Sequence, residues 1–346
     1  MSSDAGPLAA VVRGGVVESV HLGHLVVLGA DGAVRLAVGD PDVTIFARSS
    51  LKPLQAVAML GAGLDVDDEG LALACASHSG TADHLAVVRR VLSGAGLSEA
   101  DLQNTPDLPL DAAAALAWRS TGGAASSVTQ NCSGKHAAML ATCVANDWDT
   151  ASYRSPDHPL QVHVRETIEE LTAVPVRDVT VDGCGAPLFS TTVRGLARAF
   201  GRIAGAAAES GRTEAVARVG RAMASRPWLV GGPGRDVTRF MAAVPGLVAK
   251  DGAEGVYAAG LPDGTGIAFK VADGSARPRP AVLAAALEVA LRGRPEDGWP
   301  AHVDDGVLPA VREVGRTPVL GQGEPVGEVY ARLGRTDLDL HVGGRW

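Results

Sequence analysis

Strand-forming patterns gather near the two ends of this chain, and helix-forming patterns fill the region between them. Runs of β-branched and apolar residues bounded by Gly-containing turns predict strands, and apolar residues spaced three and four apart predict helices. The predicted strands are residues 16–21, 24–28, 34–38, 43–46, 179–181, 246–250, 256–259, 267–271 and 326–330, the last of them expected at an edge of the sheet. The predicted helices are residues 50–60 (with Ser50 as the N-cap), 81–92, 111–118, 133–145, 160–171, 192–203, 215–223 and 280–291.

Strands from both ends can share one sheet only if the chain returns to the place where it started. We therefore expect a mixed α/β (α+β) protein that forms a single unit over residues 1–346. Within it, residues 1–60 and 180–346 are expected to form an α/β lobe, and residues 61–179 a mainly helical lobe. The length suits one such two-lobed unit.

The composition excludes several kinds of partner. With 46% hydrophobic and 20% charged residues, the chain has the composition of a globular protein. The net charge is −8 and the arginines are spread along the chain, which argues against nucleic-acid binding. No apolar run approaches the about 18 residues that cross a membrane. Residues 1–6 lack the basic start of a signal peptide, so we expect a cytoplasmic protein.

Lysine is scarce in this chain. Four lysines, Lys52, Lys135, Lys250 and Lys270, stand against twenty-seven arginines. Arginine is always protonated, whereas a buried lysine can lose its proton and act as a general base. The lysines that persist are therefore candidates for chemistry that a guanidinium group cannot perform. For Lys270 we predict nothing beyond an ion pair.

Ser49 and Lys52 form a Ser-x-x-Lys motif at a predicted strand-to-helix junction. At this spacing both side chains lie on one face of the helix start, so a neutral amine can activate the hydroxyl as a nucleophile. A capping serine and a solvated lysine would give the same short motif, so the order of three motifs carries the prediction. Residues 77–79 (Ser-His-Ser) and 250–252 (Lys-Asp-Gly) follow it, as in penicillin-binding proteins and serine β-lactamases.

Five sequence blocks resemble the signature blocks of the asparaginase II family, the rhizobial-type or class 3 L-asparaginases. They are residues 48–53 (Arg-Ser-Ser-Leu-Lys-Pro), 75–79 (Cys-Ala-Ser-His-Ser), 131–136 (Asn-Cys-Ser-Gly-Lys-His), 182–184 (Asp-Gly-Cys) and 248–250 (Val-Ala-Lys). The block at 131–136 is the most specific. The family is related in fold to serine β-lactamases and glutaminases. The resemblance thus implies a β-lactamase-like fold, with a central, mostly antiparallel sheet formed by both termini plus a helical lobe.

The resemblance also implies a reaction. Two Ser–Lys tandems, Ser49 with Lys52 and Ser77 with Lys250, would hydrolyse L-asparagine to L-aspartate and ammonia through an acyl-enzyme. We favour Ser49 as the nucleophile and Lys52 as its base, with Ser77 and Lys250 moving the proton. The choice between the two serines stays open at this point. The lysines would work because neighbouring cations disfavour protonation.

Further residues take roles by the same resemblance. Arg48, His136 and Asp182 are the expected substrate-binding residues, although His136 would be equally at home as a buried core histidine. A zinc site formed by Cys132, Lys135 and Cys184 is implied, together with a homodimer. Two scattered cysteines without a Cys-x-x-Cys pair are also typical of small buried side chains, so the spacing alone does not establish a metal site.

Two alternatives remain open from the sequence. The first is a glutaminase or another acyl-serine amidohydrolase of the same fold, including a penicillin-recognising hydrolase. The second is a non-catalytic protein that binds a metal or an amino acid; such a protein would keep Cys132, Cys184 and Lys135 but would not need Lys52.

Overall fold

A computed structural model describes residues 4–293 and 306–334 of the chain. Within those ranges the strands are β1 (Gly6–Arg13), β2 (Val16–Leu28), β3 (Val34–Val38), β4 (Thr44–Phe46), β5 (Val179–Val181), β6 (Pro187–Thr192), β7 (Val248–Asp251), β8 (Val256–Gly260), β9 (Gly266–Val271), β10 (Pro318–Gly321) and β11 (Glu324–Ala331). The described helices are α1 (Lys52–Gly61), α2 (Asp68–Ala74), α3 (Ala82–Gly94), α4 (Ala112–Ser120), α5 (Ser133–Ala145), α6 (Pro159–Thr172), α7 (Val193–Ala208), α8 (Ala215–Ser225), α9 (Pro227–Val230), α10 (Asp236–Ala243), α11 (Arg279–Arg292) and α12 (Val307–Gly315).

The main sheet is antiparallel and contains strands from both ends of the chain. Its order is β10-β11-β1-β2-β9-β8-β7, and β3 also pairs with β2. β2 is long enough to pair with β1 through its first half and with both β3 and β9 through its second half. The expected α+β architecture, with an antiparallel sheet built from both termini and a helical region, is therefore confirmed. The division into two lobes stays a prediction.

Two predictions about the edges of elements were wrong. The predicted final strand at 326–330 was expected to lie at a sheet edge, but β11 lies between β10 and β1 and is paired on both sides. Ser50 was expected to cap the first helix, but the N-cap of α1 is Leu51. Ser50 instead lies in a short 3-10 helix, Arg48–Leu51, and its hydroxyl donates to the Lys250 carbonyl at 3.1 Å.

Helix α7 packs directly on the sheet because two strands present glycine to it. A Cβ added at Gly266 of β9 would lie 2.0 Å from the Ala197 carbonyl oxygen, and one at Gly260 of β8 would lie 2.1 Å from that of Phe200. Only glycine permits an approach this close. The aromatic-poor core relies on such contacts, because small side chains fill space only when the backbones lie near one another.

The connections around α1 and β7 bring separate motifs together. A second, three-stranded sheet of order β4-β6-β5 lies beside the main one, and β4 leads directly into the 3-10 helix and α1. The hydrogen bond from Ser50 to Lys250 fixes that 3-10 helix to β7 across 200 residues of sequence. Among the described helices, none is long and apolar enough to cross a membrane.

Candidate active site

Lys52 lies at the first turn of α1 with its side chain 1% exposed. Its amine donates hydrogen bonds to the Ala76 carbonyl (2.5 Å) and to Ser77 Oγ (3.0 Å). Ser49, three residues before it in the 3-10 helix, is half-buried, and its carbonyl accepts the Lys52 backbone N–H. The Lys52 amine is therefore hydrogen-bonded to Ser77, and Ser49 lies in the 3-10 helix directly before α1.

The segment that carries Ser77 is held on both sides after α2 ends. The Ser77 N–H donates to the Val230 carbonyl (3.2 Å), and the Ser79 N–H donates to the Gly231 carbonyl (2.9 Å). His78 Nε2 is hydrogen-bonded to Ser133 Oγ at 2.8 Å. Burial lowers the pKa of His78 well below its usual value, so the ring is neutral. The Ser77 hydroxyl thus has a fixed position, 5% exposed, against Lys52.

Lys250 lies on β7 and is fully buried. Its amine donates to Asp251 Oδ1 and to the Asp251 carbonyl, both at 2.6 Å. Burial is the largest cause that lowers the pKa of Lys250, to about 8; Asp251 opposes it, and the positive charges of Lys52 and Arg235 add to it. In the described residues, Lys250 is therefore paired with its neighbouring carboxylate, and its expected pairing with Ser77 stays a prediction.

Arg48 precedes Ser49 and has a φ of +51°, a left-handed conformation that costs a non-glycine residue free energy. Its Nε donates to Asp182 Oδ1 at 2.8 Å, and its Nη1 lies 3.8 Å from Glu254 Oε1. Burial would raise the pKa of Asp182, but the positive charges of Lys135 and Arg48 outweigh it and lower the pKa. The geometry leaves a charged Arg48–Asp182 pair beside the predicted nucleophile.

The two cysteines and the lysine predicted as metal ligands do come together. Lys135 Nζ donates to Cys184 Sγ at 3.2 Å, and the Cys132 thiol donates to Asn131 Oδ1 at 3.1 Å. The neighbouring Cys132 thiol is the main cause that lowers the pKa of Cys184 to about 4, and Lys135 contributes. Burial acts to lower the pKa of Lys135, but Cys184 and Cys132 outweigh it and raise the pKa. These shifts favour a Cys184 thiolate beside a Lys135 ammonium group.

These three side chains fit a zinc ion only in a deprotonated form. Within the described ranges, no group of three or more His, Cys, Asp or Glu residues is placed to hold a metal. Two thiols and an amine are nevertheless suitable zinc donors once Lys135 and Cys132 have released their protons. The donor set thus fits the implied metal, and metal binding would have to release protons.

His136 lies on α5 next to Lys135 and is fully buried. Its Nδ1 is hydrogen-bonded to the Tyr153 hydroxyl at 2.7 Å, and its Nε2 is buried without a hydrogen-bond partner among the described residues. Burial lowers the pKa of His136 well below its usual value. Its expected contact with substrate stays a prediction. Lys270, for which only an ion pair was expected, donates to the carbonyls of Glu254 (2.5 Å) and Val271 (2.7 Å).

Lys52 acts electrostatically on residues of the predicted metal and substrate sites. The positive charge of Lys52 acts to lower the pKa values of both Cys132 and His136.

Sequence reasoning missed three residues that complete this region: Arg235, Glu254 and Tyr153. The glycine-rich run at 231–234 was the available signal for Arg235, which follows it directly.

A buried lysine amine bonded to a serine hydroxyl, with a second serine on the same helix start, is the arrangement of enzymes that transfer acyl groups through serine. The L-asparaginase II family model matches residues 9–331 of the chain. The chain therefore belongs to the L-asparaginase II family.

The comparison with curated proteins gives no match. Among solved structures, Mglu has 14% identity and a TM-score of 0.41, and the alignment covers 77% of this chain and 65% of that one. The chain thus spans less than two thirds of Mglu. A β-lactamase from Mycobacterium bovis has 13% identity and a TM-score of 0.36, covering 77% and 94%. EstCE1, a hydrolase with promiscuous acyltransferase activity, has 12% identity and a TM-score of 0.39, covering 77% and 93%.

Proposed function

We propose that the protein is an L-asparaginase that hydrolyses L-asparagine to L-aspartate and ammonia through a serine acyl-enzyme. The observation that carries this proposal is the buried amine of Lys52, bonded to Ser77 and placed at the same helix start as Ser49. Membership of the L-asparaginase II family supports the choice of substrate.

Ser49 is the proposed nucleophile because it is the more exposed of the two serines. A neutral lysine amine has two N–H bonds and one lone pair. The two hydrogen bonds to Ala76 and Ser77 use both N–H bonds, so the lone pair is left to take the proton of the Ser49 hydroxyl. Ser49 Oγ then forms a bond to the side-chain amide carbon of asparagine, and the carbon–nitrogen bond breaks. The proton on Lys52 passes to the departing nitrogen, which leaves as ammonia.

Hydrolysis of the acyl-enzyme repeats these steps with water. A water molecule loses a proton to Lys52 as its oxygen bonds to the acyl carbon, and the ester bond to Ser49 Oγ breaks. Lys52 returns that proton to Ser49, which restores the enzyme. Lys52 must be neutral before the first attack. Its proton passes through the Ser77 hydroxyl, which lies within hydrogen-bond distance of Lys52, to neutral Lys250, whose pKa of about 8 suits a group that must gain and lose a proton.

Charged groups beside Ser49 match the charges of a free amino acid. The Arg48 guanidinium suits the α-carboxylate of asparagine, and the Asp182 carboxylate suits its ammonium group. If zinc is bound, Cys132, Lys135 and Cys184 would hold it, and the ion would supply a Lewis acid that can polarise an oxygen of the substrate.

The test is ammonia release from L-asparagine and L-glutamine by the wild type, Ser49→Ala and Ser77→Ala, together with rapid-quench mass spectrometry. We expect L-asparagine to be hydrolysed, and the aspartyl adduct to form on Ser49 and to disappear in Ser49→Ala. An adduct on Ser77 would overturn the nucleophile assignment. Faster release from L-glutamine would make the protein a glutaminase. No release from either amide would overturn the proposed function.

A further inference from the structure

The guanidinium group of Arg235 contacts both the Ser77 backbone and the Asp251 carboxylate that pairs with Lys250. Its Nη1 donates to the Ser77 carbonyl at 2.9 Å, and its Nη2 donates to Asp251 Oδ2. Asp251 in turn accepts the Lys250 amine through its other oxygen at 2.6 Å. One side chain therefore holds the backbone of one candidate serine and the carboxylate that pairs with one candidate lysine.

The loop before Arg235 is shaped to place it there. Arg235 is the N-cap residue of α10 and follows the glycine-rich run at 231–234. Gly232 has a φ of +127°, and a Cβ at that position would lie 2.2 Å from Ser79 Oγ. Only glycine both adopts this conformation and leaves room for Ser79. The loop thus runs against the Ser77–Ser79 segment and delivers Arg235 to its two acceptors.

Asp251 and Arg235, which bind each other, have opposite effects on the charge of Lys250. Asp251 favours the charged form of Lys250, whereas the positive charge of Arg235 disfavours it. Arg279 reaches the same carboxylate less closely: its Nη1 lies 3.7 Å from Asp251 Oδ2 and donates to the Gly252 carbonyl at 2.8 Å. Arg235 is therefore the closer of the two guanidinium groups competing with Lys250 for this carboxylate.

We propose that Arg235 is a positioning residue, which fixes Ser77 and weakens the hold of Asp251 on Lys250 so that Lys250 can give up its proton during amide hydrolysis. The inference rests on the proposed function for its catalytic part. Its physical part, the coupling of Arg235 to Lys250, stands on the described contacts alone.

The charged and titratable groups around Lys250 come from each element packed against it. They are Lys52 on α1, Cys75 after α2, Arg235 before α10, Asp236 on α10, Asp251 on β7, Tyr257 on β8 and Arg279 on α11. Tyr257 and Asp236 are buried groups whose pKa values are raised, chiefly by burial and further by the negative charge of Asp251. Of the cations, Lys52 and Arg235 are those that act to lower the pKa of Lys250.

The experiment replaces Arg235 with Gln and with Lys in the full chain. For Arg235→Gln we expect the rise of kcat/KM for L-asparagine with pH to occur about one pH unit higher than in the wild type. At pH values below this rise, kcat/KM should therefore be about tenfold lower than that of the wild type. At high pH, kcat/KM of Arg235→Gln should recover, because Lys250 loses its proton there even without the positive charge of Arg235. Arg235→Lys keeps the charge, so its limb should stay near that of the wild type. An equal loss of kcat/KM at every pH would show a merely structural role and overturn the inference.

A second readout does not depend on activity. Because the chain has only four lysines, lysine labelled with ¹³C gives few NMR signals, and Lys250→Arg identifies that of Lys250. The Lys250 signal should titrate at higher pH in Arg235→Gln than in the wild type; an unchanged titration would overturn the coupling. A wild type that hydrolyses neither L-asparagine nor L-glutamine would overturn the proposed function and leave this NMR result to decide the coupling.

Arg194 supplies the matched control. It forms an ion pair with Asp42 at 2.7 Å, away from the lysines and serines of the site. Arg194→Gln should leave both the pH profile and the Lys250 titration unchanged. A shift as large as that of Arg235→Gln would show that any lost guanidinium has the effect, and it would overturn the assignment to Arg235.

Discussion

Replacement of Lys52 by Arg tests whether the site needs a removable proton or only a positive charge. Arg keeps the charge and can still donate to the Ala76 carbonyl and to Ser77 Oγ, the two acceptors of the Lys52 amine. It cannot become neutral. We expect kcat for L-asparagine to fall by about 10²- to 10⁴-fold, the usual contribution of a general base. That loss corresponds to ~3–5 kcal/mol of activation free energy.

The steric effect of this substitution has to be separated from the chemical one. Lys52 is 1% exposed, so the larger guanidinium group overpacks its site at a cost of about 1–3 kcal/mol in stability. Lys52→Met removes the amine at nearly constant volume, although two acceptors then lose their donor. Both variants should be inactive, and thermal unfolding should show that both are folded.

Lys270 offers a matched control for the same exchange. Its side chain is 6% exposed, and its amine donates to two backbone carbonyls, which need no proton transfer. Lys270→Arg should therefore keep kcat within about threefold of the wild type, because Arg donates as well as Lys does. Folded Lys52→Arg or Lys52→Met with more than a tenth of wild-type kcat would refute the argument that Lys52 is the base.

Three other predictions concern pH, backbone strain and the metal. If neutral Lys250 accepts the proton, kcat/KM should rise with pH up to about 8, its pKa, and level off above it; a flat profile would contradict this role. Arg48→Gly relieves a residue at φ +51° but loses the bond to Asp182, so the Tm should change little while KM for L-asparagine rises; an unchanged KM would remove Arg48 from substrate binding. Cys132→Ala should lower the zinc content of purified protein and Cys143→Ala should not, since Cys143 lies outside the Cys132–Cys184 group; equal contents would refute the metal site.

Periodicity in the sequence predicted the elements whose side chains alternate clearly between core and solvent. The helix predicted at 81–92 corresponds to α3, and the helix predicted at 160–171 corresponds to α6. β1 was missed because its residues are buried in a nearly continuous run, which has no alternation to read. The short α2 and α10 were missed for a similar reason, since seven or eight residues give too little periodicity.

Most residues of the candidate site could be predicted from the sequence, but the hydrogen bonds among them could not. Local spacing explains why Ser49 and Lys52 share a helix start, but it does not reveal which hydroxyl the amine reaches. That depends on the segment after α2, where the Ala76 carbonyl and Ser77 Oγ lie against Lys52. Arg235 escaped notice because twenty-seven arginines carry no signal of their own, and its two acceptors are 158 and 16 residues away.

The place of β11 in the main sheet has a consequence for how this protein is made. β1 leaves the ribosome well before β11, which is one of its two neighbours and in which Val329 lies opposite Val11. Until that strand arrives, β1 has an open edge of unpaired backbone groups, which is prone to pair with other chains. Completion of the sheet therefore has to wait until the chain between β1 and β11 has been made. Chains that stop short of residue 324 should aggregate rather than fold into a smaller stable form.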